Sequence, residues 1–149
     1  VKSVLFICYG NIMRSAFAEA YLRHLQARGE APSHLQVASA GVRAYPLERA
    51  EPAARRVAQS LGISLDHHRA TPASAHLLAA FDHVYFMDRL NQKILAEDFP
   101  HLASKADFLS VWLDEGPLEI DDPYRRSDAE IAACFRRIQT AIHRLVASL

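Results

Sequence analysis

Cys8 and Arg14 bracket five residues in the run Cys8-Tyr9-Gly10-Asn11-Ile12-Met13-Arg14-Ser15. Set between a strand end and a helix start, such a loop turns its backbone N–H groups inward. With the helix N-terminus behind it, it makes a concave site for an anion. Partial positive charge around a sulfur at the base favours thiolate over thiol, and so a nucleophile at neutral pH. Arg14 closes the cradle with a planar fork that can hold two non-bridging phosphate oxygens at once. The Ser15 hydroxyl could donate to the sulfur and ease its later departure as a leaving group. A core cysteine at a strand end, followed by a surface arginine, would give the same spacing. Gly10, Ser15 and the strand–loop–helix context favour the anion cradle.

A thiolate attacking phosphorus also needs a proton donor for the leaving oxygen, and a positioned acid contributes about 10²–10⁴-fold. Asp122 is the candidate, because Pro123 fixes the backbone just after it and lets a loop present the carboxyl rigidly. In a second step the same group would act as base and activate water against the phosphocysteine. Taken alone, Asp122 reads better as a turn or helix-cap residue; the Cys8 loop changes the weighing. Asp121 beside it should point the opposite way and face solvent.

The surrounding elements must hold these groups. Val4-Leu5-Phe6-Ile7 is a short apolar run, consistent with a strand buried on both faces. Ser15 to about Ala27 carries Phe17, Ala18, Tyr21, Leu22 and Leu25 on one helical stripe. Leu35 to Ser39 reads as a second strand ending at Gly41, and a helix from about Ala53 to Leu61 stops at Gly62. Thr71-Pro72 predicts a helix start, running to about Ala80. His83 to Met87 is a third strand with Asp88 at its end, poised to cap a helix over about 90–97. Ala106 to Trp112 offers a fourth. Ser127-Asp128-Ala129-Glu130 is a capping box that opens a long helix with the stripe Ile131, Cys134, Phe135, Ile138, Ile142, Leu145 and Val146. Strands alternating with helices predict an α/β fold with a parallel sheet covered on both faces. No linker or internal repeat divides residues 1–149, so a single domain is expected.

Composition narrows the function classes. Half of the 149 residues are hydrophobic, which supports a real core. Lys plus Arg balance Asp plus Glu at 17 each, which argues against nucleic-acid binding by bulk charge but not against a local anion site. Two distant cysteines, Cys8 and Cys134, are no disulfide framework, and a reducing cytoplasm is the expected compartment. No secretory signal pattern and no membrane-length apolar stretch is evident. The eight histidines lack metal-ligand spacing, so neither a metal nor another cofactor is expected. Cys134, on an apolar stripe, reads as core rather than redox partner.

Together the residues from Val4 to Ser15, with Ala18-Glu19-Ala20, resemble the low-molecular-weight protein tyrosine phosphatase family. So do Ser39-Ala40-Gly41, Gly62-Ile63, His68-Arg69-Ala70, Met87-Asp88 and Asp121-Asp122-Pro123-Tyr124, in the same order along the chain. The resemblance implies a three-layer α/β/α, flavodoxin-like fold with a four-stranded parallel sheet and the site at the carboxyl end of its first strand. It implies that Cys8 is the nucleophile, that backbone from Tyr9 to Ser15 with Arg14 binds phosphate, and that Asp122 is the acid. It pairs Asn11 with Ser39 and His68, although His67 is an adjacent alternative, and it adds Asp88, for which helix capping is an equally good reading. Tyr45 and Tyr124 would wall the cleft against an aromatic ring, or instead pack half-buried. Ile12 falls where relatives acting on phosphoarginine carry threonine, and isoleucine goes with phosphotyrosine. The implied partners are a phosphotyrosine protein or peptide and inorganic phosphate, with no nucleic acid and no membrane.

The chain departs from the family pattern in three places. Met13 stands where many relatives have a second cysteine, so oxidised Cys8 is expected to pass more readily to irreversible states. Arg125-Arg126 follow Tyr124 where some relatives have a second aromatic, which hints at acidic residues flanking the phosphosite. The stretch from Arg43 to Pro52 matches least well. Two rival functions use the same loop. An arsenate reductase would need an external thiol, since Cys134 is the only other one. A non-catalytic phosphate-binding module would not need Asp122.

Overall fold

The computed structural model describes residues 1–149. Four strands form one parallel sheet: β1 (Ser3–Cys8), β2 (Gln36–Gly41), β3 (His83–Phe86) and β4 (Ala106–Phe108), in the order β2-β1-β3-β4. All of β1 is buried, as its unbroken apolar run requires when helices cover both faces. Its side chains divide between two cores. Val4, Phe6 and Cys8 join a core with α1 (Arg14–Ala27), α2 (Pro52–Ser60) and α5 (Asp128–Ala147). Leu5 and Ile7 join a second core with Leu78 of α3 (Ala75–Ala80) and Ile94 and Leu95 of α4 (Arg89–Asp98). The result is the expected three-layer α/β/α arrangement. Stacking of Phe17 on Phe135, with centroids 4.1 Å apart, ties α1 to α5.

The strand order reverses direction at β1, so the ends of β1 and β3 diverge to opposite sides and leave a crevice between them. The nucleophile loop leaves β1 there, and Asp88 follows β3. The Ser127–Glu130 capping box forms on α5, and Asp88 caps α4 in a second box with Asn91. No helix is long and apolar enough to cross a membrane.

Two expectations fail. Thr71-Pro72 does not start a helix: α3 begins at Ala75, capped by the Ser74 side chain. Thr71 and Pro72 stay extended, because Thr71 O accepts from Gly41 N–H at 2.9 Å and Pro72 bridges to Gly41. Tertiary pairing with the end of β2 overrides the local helix-start signal. The fourth strand is also shorter than expected. It ends at Phe108, and Leu109–Trp112 turn as a 3-10 helix that buries Leu109 in the α5-side core.

Candidate active site

The loop from Tyr9 to Met13 joins β1 to α1, and its shape depends on Asn11. That residue takes φ 55°, a left-handed conformation that asparagine tolerates better than most residues. Its fully buried side chain is bonded on both ends. Nδ2 donates to Ser15 Oγ at 2.8 Å and to Ser39 Oγ at 2.9 Å, while Oδ1 accepts from Thr71 N–H at 2.9 Å. His68 Nε2 meets the Asn11 carbonyl at 2.6 Å. Both His67 and His68 border a lateral recess near Glu19 and Arg23, but it is His68 that bonds to the loop.

Hydrogen-bond direction follows from this chain of contacts. Ser39 Oγ donates to Glu19 at 2.5 Å, so it accepts from Asn11. Ser15 Oγ likewise accepts from Asn11, and its own proton has two acceptors in reach, Cys8 Sγ at 2.8 Å and, at a longer 3.4 Å, the Ala40 carbonyl; a thiolate at Cys8 makes the first the better one. Asn11 N–H adds a second donor to that sulfur at 3.3 Å. Negative charge on Cys8 is thus met by a hydroxyl and an amide in a buried setting, where such donors act at low dielectric. The N–H groups of Gly10, Ile12 and Met13 have no protein acceptor and are left for an anion.

Arg14 is 1% exposed. Its Nη1 gives both hydrogens away, to Asp88 Oδ2 at 2.7 Å and to the Ile120 carbonyl at 2.8 Å. Nε and Nη2 remain as a fork for two phosphate oxygens. Burial works against the cation, but Cys8, Asp122 and Asp88 outweigh it and hold the guanidinium above its ordinary range. Asp88 therefore has two functions: one oxygen caps α4 and the other aims Arg14.

Asp122 approaches from the opposite side, with Oδ2 3.7 Å from Arg14 Nη2. Tyr124 N–H donates to its Oδ1 at 3.2 Å across the buried Pro123, which closes a tight turn and points the carboxyl inward. Cys8, Arg14 and Asp122 share one cleft of about 310 Å³ with Tyr9, Gly10, Ile12 and Met13. Tyr45 and Tyr124 line it and are 76% and 47% exposed, so neither ring is packed away. Asp121 is exposed and lies outside the cleft lining; it borders a recess behind the loop that also contains Cys134. Met13 is buried in the α5-side core beside Cys8.

Several participants carry no local sequence signal. Arg43 and Glu48 line the cleft from an irregular loop. Thr71 and Ile120 contribute through backbone atoms, and Glu19 through Ser39. Gly41 ends β2 so close to the loop that a Cβ there would lie 2.7 Å from Tyr9 O and 2.8 Å from Asn11 N. A run of small residues ending at a glycine hints at close approach, but the partner segment is more than thirty residues away.

The family described as "Low molecular weight phosphotyrosine protein phosphatase" matches residues 3–149. Over 138 residues, 34% are identical to the low molecular weight protein-tyrosine-phosphatase Wzb of Salmonella typhi, covering 93% of this chain and 87% of that protein. The fold superposes on the tyrosine phosphatase Wzb from Escherichia coli K30, in complex with sulphate, with a TM-score of 0.88 and 31% identity, covering 99% of this chain and 97% of the other. It also superposes on the YwlE arginine phosphatase of Geobacillus stearothermophilus, with a TM-score of 0.87 and 27% identity over 99% and 92% of the two chains.

Proposed function

The chain belongs to the low molecular weight phosphotyrosine protein phosphatase family, and from that premise we propose that it hydrolyses phosphotyrosine and other aryl phosphate monoesters through a phosphocysteine on Cys8. One observation carries the reading. A sulfur with a hydroxyl donor at 2.8 Å and an amide donor at 3.3 Å shares a cleft with a buried arginine fork and an aspartate.

The phosphate dianion enters between the free N–H groups of the loop and the Nε–Nη2 fork of Arg14. The Cys8 thiolate attacks phosphorus in line with the ester oxygen. As the S–P bond forms and the P–O bond breaks, Asp122 transfers its proton to the departing phenolate. Arg14 and the loop amides stabilise the equatorial oxygens where charge spreads in the transition state. Asp122, now a carboxylate, takes a proton from water, which attacks the phosphocysteine. Inorganic phosphate leaves, and Ser15 O–H stabilises the regenerated thiolate.

Substrate class follows from the cleft walls. Tyr45 and Tyr124 offer two exposed rings in the cleft lining, and Ile12 adds an apolar side chain with no hydroxyl. Those rings can stack on an aryl ester. Arsenate reduction is less well supported, because the only other thiol, Cys134, lies in the recess behind the acid loop. The test is hydrolysis of p-nitrophenyl phosphate, a phosphotyrosine peptide and phosphoarginine by the native chain and by Cys8→Ser. The reading requires turnover of the first two that disappears in the variant. Preferential phosphoarginine turnover, or activity that survives Cys8→Ser, would overturn it.

A further inference from the structure

Beyond Asn11, only two non-glycine residues take positive φ, Leu47 at 67° and Arg125 at 62°. Each lies within two residues along the chain of a cleft-lining tyrosine, Leu47 of Tyr45 and Arg125 of Tyr124. Left-handed backbone is uncommon for long side chains, and such conformations concentrate at functional sites. Leu47 is held by its N–H to the Ala70 carbonyl at 2.8 Å and is left 72% exposed beside Tyr45. Arg125 folds back so that its guanidinium carbon lies 5.4 Å from the centre of the Tyr124 ring.

The charges at this rim differ in how they are satisfied. Arg43 is paired with Asp98 at 2.7 Å, and Arg126 with Glu130 at 3.3 Å. Asp122 is turned toward Arg14, and Asp121 borders the recess behind the loop. Arg125 has no carboxylate within ion-pair distance and is braced on the ring that walls the substrate. The cleft lining also includes Tyr45 and the exposed carboxylate of Glu48, which lacks an ion pair.

We infer that Arg125 is a specificity residue, resting on the phosphatase reading above: it receives the carboxylate of an acidic residue flanking phosphotyrosine in the protein substrate. Seated on Tyr124, its guanidinium is held at the cleft mouth with its donors free, a pre-organised receptor for a planar carboxylate. Glu48 repels the same carboxylate where it lines the cleft, so the acidic residue is accepted on one side of phosphotyrosine and not the other. The aryl phosphate itself makes no use of this contact.

The experiment compares kcat/KM for p-nitrophenyl phosphate and for four phosphotyrosine peptides of equal length. Their flanks are neutral, acidic on the N-terminal side, acidic on the C-terminal side, or basic. The readout is the ratio between peptides within each protein variant, which is insensitive to partial loss of folded enzyme. The native chain should prefer one of the two acidic peptides over the neutral one by about two- to fivefold at low salt, as expected for an exposed charge contact, and the preference should shrink as salt rises. Arg125→Lys, which keeps the charge but loses the ring-stacked planar fork, should weaken the preference, and Arg125→Glu should reverse it toward the basic peptide. Equal ratios in the native chain, or an acidic preference that survives Arg125→Glu, would overturn the inference while leaving the phosphatase reading intact. A chain that hydrolyses none of these substrates, p-nitrophenyl phosphate included, overturns the phosphatase reading and this inference with it.

Discussion

The guanidinium of Arg14 meets the carboxylate of Asp88 at 2.7 Å, in a pair whose side chains are only 2% and 11% exposed. Buried pairs of this kind add little net stability when complete, but breaking one leaves an uncompensated charge. Asp88→Asn retains an oxygen able to cap α4 and removes the counter-charge. It should lower stability by about 3 kcal/mol, moderated by the Ile120 carbonyl that Arg14 keeps. Inorganic phosphate supplies a new counter-charge, so it should restore more stability to the variant than to the native chain. Urea denaturation with and without phosphate measures both; equal phosphate stabilisation of the two proteins would contradict the assigned role.

Gly41 tests the packing behind the loop. A Cβ at this position falls within 3 Å of backbone atoms of Tyr9, Gly10 and Asn11, and backbone cannot rotate away as a flexible side chain can. Gly41→Ala should cost about 1–3 kcal/mol as over-packing and push the loop toward the cleft. The expected signature is a larger proportional loss in kcat/KM for p-nitrophenyl phosphate than in stability, read by steady-state kinetics beside thermal melting. Unchanged kinetics would mean that the strand end yields instead of the loop.

How much of this site was legible in the sequence depends on how far apart its parts lie. Cys8, Asn11, Arg14 and Ser15 are contiguous, so the spacing of residue types already describes a cradle. Asp122 is marked by Pro123. The order of strands and helices was equally readable, because β1 is a pure apolar run and α5 carries its own capping box. What escaped was set by long-range pairing. Thr71-Pro72 has the local chemistry of a helix start, yet Gly41 and Asn11, thirty and sixty positions earlier, recruit it as extended chain. Asp88 looked like either a cap or a site residue, and it is both because its two oxygens face different partners. Arg43 and Glu48 lie in a loop with no periodicity to read.

Asp122 should reveal its role through the leaving group. Asp122→Asn preserves the turn made with Tyr124 N–H but cannot supply a proton. For a phosphotyrosine peptide kcat/KM, which reports formation of the phosphocysteine and not the shared hydrolysis step, should fall by about 10²–10⁴-fold. For p-nitrophenyl phosphate, whose phenolate departs more readily unaided, the fall should be smaller. Competitive inhibition by inorganic phosphate should persist, since Arg14 and the loop amides are untouched. Equal losses on both substrates would argue against proton donation.

Cys134 should behave as the opposite of a reactive thiol. Burial pushes its pKa up from an ordinary 9.0 to about 12, with Asp122 and Cys8 adding to the rise and Arg14 opposing it. In the folded chain it therefore stays protonated where an unfolded cysteine would already ionise. The linkage sign follows: this group's contribution to stability is complete below about pH 9 and is lost as pH rises toward 12, because only the unfolded state releases the proton across that window. Cys134 is half-buried and lines the recess behind Asp121 and Asp122, so near pH 8 iodoacetamide should modify it in the folded chain, but more slowly than in urea because the folded chain holds less thiolate. Mass spectrometry of timed digests of Cys8→Ser, which leaves Cys134 as the sole thiol, follows the reaction directly. Modification of the native fold as fast as that of the urea-unfolded chain would contradict the raised pKa.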